Sequence, residues 1–306
     1  MTTSDFDRQE QHRQSLFFVA PEYFDATAAI PFAATTPLHR INALMCCKGA
    51  EHGWPGASFS CVEILMALHF EYRDKISTVI LSKGHAAAAQ YAMLHAQRTL
   101  PNGATLADYK RYDPLQCPPP DSPWRHLEAH ADLHCDTGSL GTCLSTVVGM
   151  AIATPTKLFA IVLGDGELQE GQNYEALMTI NHYGVENVLI VVDRNGFQSD
   201  NRCDEMMKIH DLEKVLQGFG FPTAVVTGGN DLAQVSQAVS LALERCADGS
   251  GLPTVLLCDT TKGAGTKFMP PEPHPVTKKE WQPWHTKIPS WTLCVDIVEE
   301  QLAILS

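Results

Sequence analysis

No apolar run in this chain reaches the roughly 18–20 residues that a bilayer-spanning helix needs. The opening, MTTSDFDRQEQHRQ, lacks the basic-then-apolar form of a secretory leader, so a cytoplasmic protein that does not cross a membrane is expected. Basic residues are also scarce, with 22 Lys and Arg against 35 Asp and Glu and a formal charge of −13. Nucleic acid and anionic lipid both reward clustered Lys and Arg, which argues against either as a partner. The ten cysteines include no CxxC pair, so reduced, packed thiols are expected in place of a zinc centre or a disulfide framework. Small molecules and proteins remain as ligands.

What is present reads as one large α/β domain. Residues 1–36 show no sustained period and are set apart as an arm, although SLFFVAPEYF is apolar enough to dock. Residues 37–306 form the domain. Two helical patterns flank HGWPGAS between Leu38 and Tyr72, and the strand TVILS and a helix from SKGH through Ala96 follow. The Pro-rich passage CPPPDSPW must be a surface loop. Beyond it, helix 140–153, strand LFAIVL, helix 171–183, strand NVLIVV, strand AVVTG, helix 231–246 and strand TVLLC alternate, before a last helix, TLCVDIVEEQLAIL. Continuous Val/Ile/Leu strands between amphipathic helices imply a parallel sheet with helices on both faces.

LFAIVL runs directly into Gly164-Asp165-Gly166, and thirty residues after Asp165 the strand NVLIVVD delivers Asn195 at its own C-terminal end. Ligands of open parallel sheets gather at that edge. Gly164 and Gly166 let backbone approach a bulky anion, while Asp165 and the Asn195 amide oxygen are hard oxygen ligands for Mg²⁺ or Ca²⁺. A cation held there would clamp a diphosphate.

The segment GDGELQEGQNYEALMTINHYGVENVLIVVDRNGFQSD resembles the thiamine-diphosphate fingerprint in its transketolase version. The resemblance covers roughly residues 38–292 and implies the thiamine-diphosphate-binding (PP-type) fold. It makes Asp165, Asn195 and the Phe197 carbonyl the ligands of Mg²⁺, for which Ca²⁺ or Mn²⁺ can substitute, and places Gly166 and Glu167 by the cofactor. Glu170 matches an acidic position at the family's dimer interface; the alternative is a helix-start Glu favoured by the dipole. SKGHAAAAQYAML resembles the family's S-x-GHA helix start, which sets His85 near diphosphate and thiazolium. TGSLGTCLSTVVGMAIA resembles the TG-x-LG-x-G-x-S loop, which sets Gly138 and Leu140 in the aminopyrimidine pocket.

Elsewhere the pattern departs from the family. Trp54 in His52-Gly53-Trp54-Pro55-Gly56 stands where a GHPG-like histidine is expected. An indole donates one hydrogen bond and shuttles no proton, so either His52 substitutes or the substrate chemistry differs. Both His126 and His130 fit the histidine that precedes the TG-x-LG loop. With His134 and Cys135 they match no common zinc spacing. Trp284-His285 matches the family's later Trp-His, behind an insertion containing His274, and makes His285 the candidate to touch phosphate and substrate.

The glutamate that activates thiamine belongs to the family's pyrimidine-binding domain, and no second α/β domain fits after residue 292. The resemblance is therefore to the amino-terminal subunit of a two-component transketolase, moving a two-carbon ketol unit from a ketose or hydroxypyruvate-like donor to an aldehyde. It implies a partner carrying the pyrimidine-binding and C-terminal domains, as α2β2, and a specialised sugar or secondary-metabolite substrate. Two alternatives stay open: the alpha-type subunit of a 2-oxo acid decarboxylating acyl-transfer enzyme, and a non-catalytic paralogue that binds its partner.

Overall fold

The computed structural model describes residues 18–25, 30–50, 53–100, 106, 137–247, 251–273, 277–285 and 287–305. Its centre is a five-stranded parallel sheet of β1 (Thr78–Leu81), β2 (Phe159–Gly164), β3 (Val188–Arg194), β4 (Thr223–Val226) and β5 (Val255–Asp259), in the order β1-β2-β3-β5-β4. Because side chains alternate along a strand, each strand feeds two cores. Val79, Leu81, Ala160, Val162, Leu189, Val191, Leu256 and Cys258 face one way, and Ile80, Ile161, Leu163, Val188, Ile190, Val192 and Leu257 face the other. Both faces are covered, which is why the strands read as unbroken apolar runs.

The first face packs on α2 (Pro55–Ser60), α3 (Val62–Met66), α4 (Ala87–Ala96) and, later in the chain, the long amphipathic helix Leu232–Ala247. The second packs on α5 (Cys143–Ala153) and α6 (Gly171–Tyr183). Gly184 ends α6 in the left-handed conformation, as a C-terminal glycine does. A further layer sits outside α4. There α1 (Thr36–Ala50), buried at every position but its last, packs against α4 and the final helix Trp291–Ile304, whose start Ser290 caps through its side chain.

Two expected helices differ in detail. The pattern SFSCVEILMALHFEY is not one helix: Cys61 leaves helical geometry at φ −109° between α2 and α3, and residues Ala67–Glu71 widen to a π-helix. The helix expected over 140–153 starts at Cys143, because Gly141 takes φ +87° in the turn before it. Nor is that helix covered all round, since Ser145, Thr146, Gly149, Ile152 and Ala153 are exposed.

From the arm, residues 18–25 lie on this outer layer. Asn42 bonds both backbone groups of Val19, accepting from its N–H at 2.7 Å and donating to its carbonyl at 3.2 Å, and Arg98 pairs with Asp25. Beneath them His39 is fully buried against the rings of Phe24 and Phe70, with no hydrogen-bond partner on either ring nitrogen among the described residues. Burial, helped by His69 and Arg40, pulls its pKa down to about 3. The unfolded chain then binds one more proton than the folded chain below about pH 6.5, so this group costs stability as pH falls from there towards about 3. His39→Phe is expected to raise stability by about 1–3 kcal/mol and to flatten that acid slope, read by denaturant unfolding at pH 7 and pH 5.

Candidate functional site

All four strands that precede a functional loop end at the same sheet edge. β1 runs into Ser82-Lys83, β2 into Asp165, β3 into Asn195, and β5 into Thr260-Thr261-Lys262. They border a cleft of ≈ 230 Å³ whose walls include Trp54, His85, Gly138, Leu140, Gly164, Asp165, Gly166, Glu167, Glu170, Asn195, Phe197, Lys262 and His285. Eleven candidates from the sequence thus share one cavity: His85, Gly138, Leu140, Gly164, Asp165, Gly166, Glu167, Glu170, Asn195, Phe197 and His285. His52, His126, His130 and His274 lie outside the described residues.

Asp165 is held by backbone. One carboxylate oxygen accepts from its neighbour Gly166 at 2.9 Å, and the other from Gly196 at 2.7 Å, which ties the β2 turn to the β3 turn. Burial and the nearby Asp193 push its pKa up to about 6 against the pull of those N–H groups. Asn195 is fixed just as firmly. Its Nδ2 donates to Asp193 at 3.3 Å, which orients the amide and leaves Oδ1 accepting from the Phe197 N–H at 3.0 Å. Among the described residues no group of three His, Cys, Asp or Glu side chains is placed to hold a metal unaided. A hard cation here would draw on one carboxylate, an amide oxygen, a backbone carbonyl and oxygens of its ligand. Gly166 is needed for close approach, since a Cβ there would meet that of Gln198 at 3.0 Å.

Glu167, expected beside the cofactor, lines the cleft and also ties loops together. Its carboxylate accepts from the Ser82 hydroxyl, from Gly141 N–H at 2.9 Å and from Gly164 N–H at 3.1 Å, so it joins the loops after β1, before α5 and after β2. Burial nevertheless raises its pKa. It lines the cleft but its polar capacity is spent on protein. Glu170, exposed at the N-terminus of α6, closes on Gly141, where a Cβ would meet its own at 2.6 Å.

Under the cleft lies a network that sequence reasoning missed. Asp193, fully buried, pairs with Lys83 and accepts from the hydroxyls of Thr260 and Ser60, the latter at 2.6 Å. Lys83 also donates to the Ala57 carbonyl at 3.2 Å. Burial alone would lower the Lys83 pKa, but the Asp193 charge outweighs it and the net shift is upward.

The opposite wall is aromatic. Trp54 lies 6.4 Å from the His85 ring and 6.2 Å from His285, and the two histidines are 5.6 Å apart. The loop carrying His285 is set by backbone, Gly56 N–H donating to the Trp284 carbonyl at 3.0 Å. Burial and the Lys83 charge hold the His85 pKa well below the usual imidazole value. Burial with Lys262 brings His285 to about 3. Both rings are neutral at physiological pH and act as hydrogen-bonding groups. Trp54→His would open the space between them and is expected to change the ratio of kcat/KM between two substrates of different size by roughly tenfold or more, measured on a substrate panel.

Comparison with known proteins gives a family and a shared fold. The family model described as transketolase, thiamine diphosphate binding domain, matches residues 35–274. One subunit of the apulose-4-phosphate transketolase of Actinobacillus succinogenes is 32% identical over 251 residues, 78% of this chain and 83% of that protein. The 6-deoxy-6-sulfo-D-fructose transketolase subunit SqwG of a Clostridium species is 31% identical over 239 residues, 71% of this chain and 79% of that protein. Among solved structures, the transketolase of Leishmania mexicana superposes with a TM-score of 0.66 at 20% identity, covering 93% of this chain and 42% of its own. A Pichia stipitis transketolase variant gives 0.67 at 20% identity, covering 88% and 39%. The fold is shared, and the chain spans about two fifths of the length of those solved enzymes.

Proposed function

This chain belongs to the transketolase family, in its thiamine diphosphate binding domain, and from that membership we propose that it is the diphosphate-binding subunit of a two-component transketolase. The single observation that carries the reading is the convergence on one cleft of Asp165, Gly166, Asn195 and Phe197 from the β2 and β3 turns with His85, Gly138 and Leu140 from the loops beside them. Bound thiamine diphosphate would supply the carbanion chemistry, and the protein's part is to bind, orient and keep water away.

The residues fit that cofactor. Asp165, the Asn195 amide oxygen and the Phe197 carbonyl would hold a divalent cation, with magnesium the proposed ion. The buried carboxylate of Asp165, which forms no ion pair among the described residues and lies close to Asp193, is the donor such an ion would complete. Gly164 and Gly166 give the diphosphate room. Leu140 and Trp54 form the apolar walls, while His85 and His285 offer neutral ring nitrogens to oxygens at the mouth.

Two of the relatives are named for sugars that end in an anion, a phosphate in one and a sulfonate in the other. A ketose donor of that kind, giving up a two-carbon ketol unit to an aldehyde, is the proposed substrate class here. The named relatives are transketolases, which favours this over a 2-oxo acid decarboxylating enzyme. A buried, preset cation cradle has no use in a non-catalytic paralogue. The pyrimidine-binding half is assigned to a second chain, in an α2β2 assembly in the cytoplasm. Ile152 on α5 and Met178 and Tyr183 on α6 are exposed apolar residues that such a chain could cover.

Calorimetry of the chain mixed with its pyrimidine-domain partner, thiamine diphosphate and Mg²⁺ tests the binding claim. Saturable uptake that needs the metal is expected, and an absence of any binding would sink it.

A further inference from the structure

Lys262 is an ammonium group buried to 2% exposure. Its neighbours in hydrogen-bonding reach are neutral: it donates to the Ser199 carbonyl and lies 3.1 Å from His285 Nδ1. Among the described residues no carboxylate forms an ion pair with it, although Lys83, only a short way off, has Asp193. Lysine so placed is costly, and an apolar side chain of similar length would be cheaper unless the charge has work to do.

Its position is nevertheless braced from several sides. The Lys262 carbonyl accepts from Gln282 Nε2 at 2.9 Å, and Gly263 N–H donates to Gly56 at 2.9 Å. The same Gln282 accepts from Trp284 N–H at 3.2 Å, one residue before His285. Ser199, whose carbonyl takes the ammonium proton, sits in the left-handed region at φ 52°, a conformation that a serine adopts only when its surroundings require it. Lysine and histidine are thus set against each other by one buried glutamine and a strained turn.

Burial and the Lys83 charge lower the Lys262 pKa to about 8; below that pH the group is an ammonium, which only donates, so His285 Nδ1 accepts and the ring proton sits on Nε2. We infer that Lys262 is a positioning residue, which locks His285 as the Nε2–H tautomer so that this ring meets the cleft as a hydrogen-bond donor to an anionic oxygen and never as a base. The inference rests on the reading of the cleft as a diphosphate and ketose site. The groups that face the pair are Lys83, His85 and Trp54 on the His285 side, and Lys83, Asp165, Asp193 and Asp200 around Lys262.

The test begins with the full chain, free of cofactor and labelled with ¹⁵N-histidine, with the His285 signal identified by its loss in His285→Gln. The wild-type ring is expected to show the Nε2–H tautomer from pH 6 to 7, below the pKa of about 8 at which Lys262 loses its proton. Lys262→Met is expected to mix the tautomers and raise the His285 midpoint, Lys262→Arg to keep the tautomer, and thermal unfolding to show the Met variant no less stable than wild type. With the partner chain and Mg²⁺, Lys262→Met should weaken thiamine diphosphate binding by roughly 10- to 100-fold, and Lys262→Arg should restore most of it. An Nδ1–H tautomer in the wild type overturns the inference without any variant being needed. So does a Met variant with unchanged tautomer and unchanged affinity. If the wild-type complex binds no thiamine diphosphate, the proposed function fails instead, and the tautomer still decides the role of Lys262.

Discussion

Replacement of Asp165 by alanine is expected to weaken thiamine diphosphate and Mg²⁺ binding by at least about 100-fold while leaving the chain folded. The expectation follows from what the carboxylate does. It brings one negative charge and two hard oxygens to the end of β2, already oriented by the N–H groups of Gly166 and Gly196. Loss of a residue that merely supports a metal ligand costs roughly 10- to 100-fold, and loss of the ligand itself costs more. The fold should tolerate the change, because removing a carboxylate whose pKa is pushed up to about 6 by burial takes away a desolvated charge. Binding is read by calorimetry on the two-chain complex and folding by circular dichroism. A variant that binds as tightly as wild type would remove Asp165 from the cation site.

Asp193 should behave in the opposite manner. Asp193→Ala leaves Lys83 buried at 1% exposure with its countercharge gone, and strips the Ser60 and Thr260 hydroxyls and the Asn195 amide of their common acceptor. A loss of about 3–5 kcal/mol is expected in denaturant unfolding, since breaking a buried pair from one side strands the other charge. The double change Asp193→Asn with Lys83→Met should recover a large part of that loss, because the stranded ammonium goes too. If the double variant were no better than Asp193→Ala, the cost would lie in the hydroxyl network and not in the ion pair. Cofactor binding should fall in both, through Asn195, whose amide Asp193 orients.

The contrast between these two aspartates shows what was legible before folding. Asp165 stands out in the sequence because it interrupts an apolar strand between two glycines, and Asn195 because it ends the next strand. Their pairing needs only the rule that parallel strands deliver their loops to one edge. Asp193 is hidden inside NVLIVVD as one more strand residue. Its partner Lys83 follows β1, and the two meet only because β1, β2 and β3 are neighbours in that order. The signal was there as a charge at the end of each apolar run, but matching the charges needs the strand order. Lys262 was missed for the same reason, and Glu167 was noted for its place beside Asp165 while its role as a bond between three loops depends on the β1 and α5 turns.

The fold was more legible than the site. Four buried strands announce themselves by composition, and the helices between them by a repeat of three to four. Periodicity failed where every position is buried, as from Trp54 to His69, because a helix without a solvent face gives no phase by which to locate the break at Cys61 or the π-turn after it. His285 was recoverable only through its Trp-His pair. Its approach to His85 depends on the hydrogen bond from Gly56 to the Trp284 carbonyl, which no local pattern announces.

The central claim is that this chain is one half of a transketolase, and a reconstitution assay tests it most directly. The chain and a partner carrying the pyrimidine-binding domain are assayed separately and together, with thiamine diphosphate, Mg²⁺, a ketose phosphate donor and an aldehyde acceptor. The expected result is donor-dependent ketol transfer by the mixture alone, lost on chelation of the metal. Transfer by either chain alone, or a mixture that decarboxylates pyruvate and ignores the ketose, would contradict it.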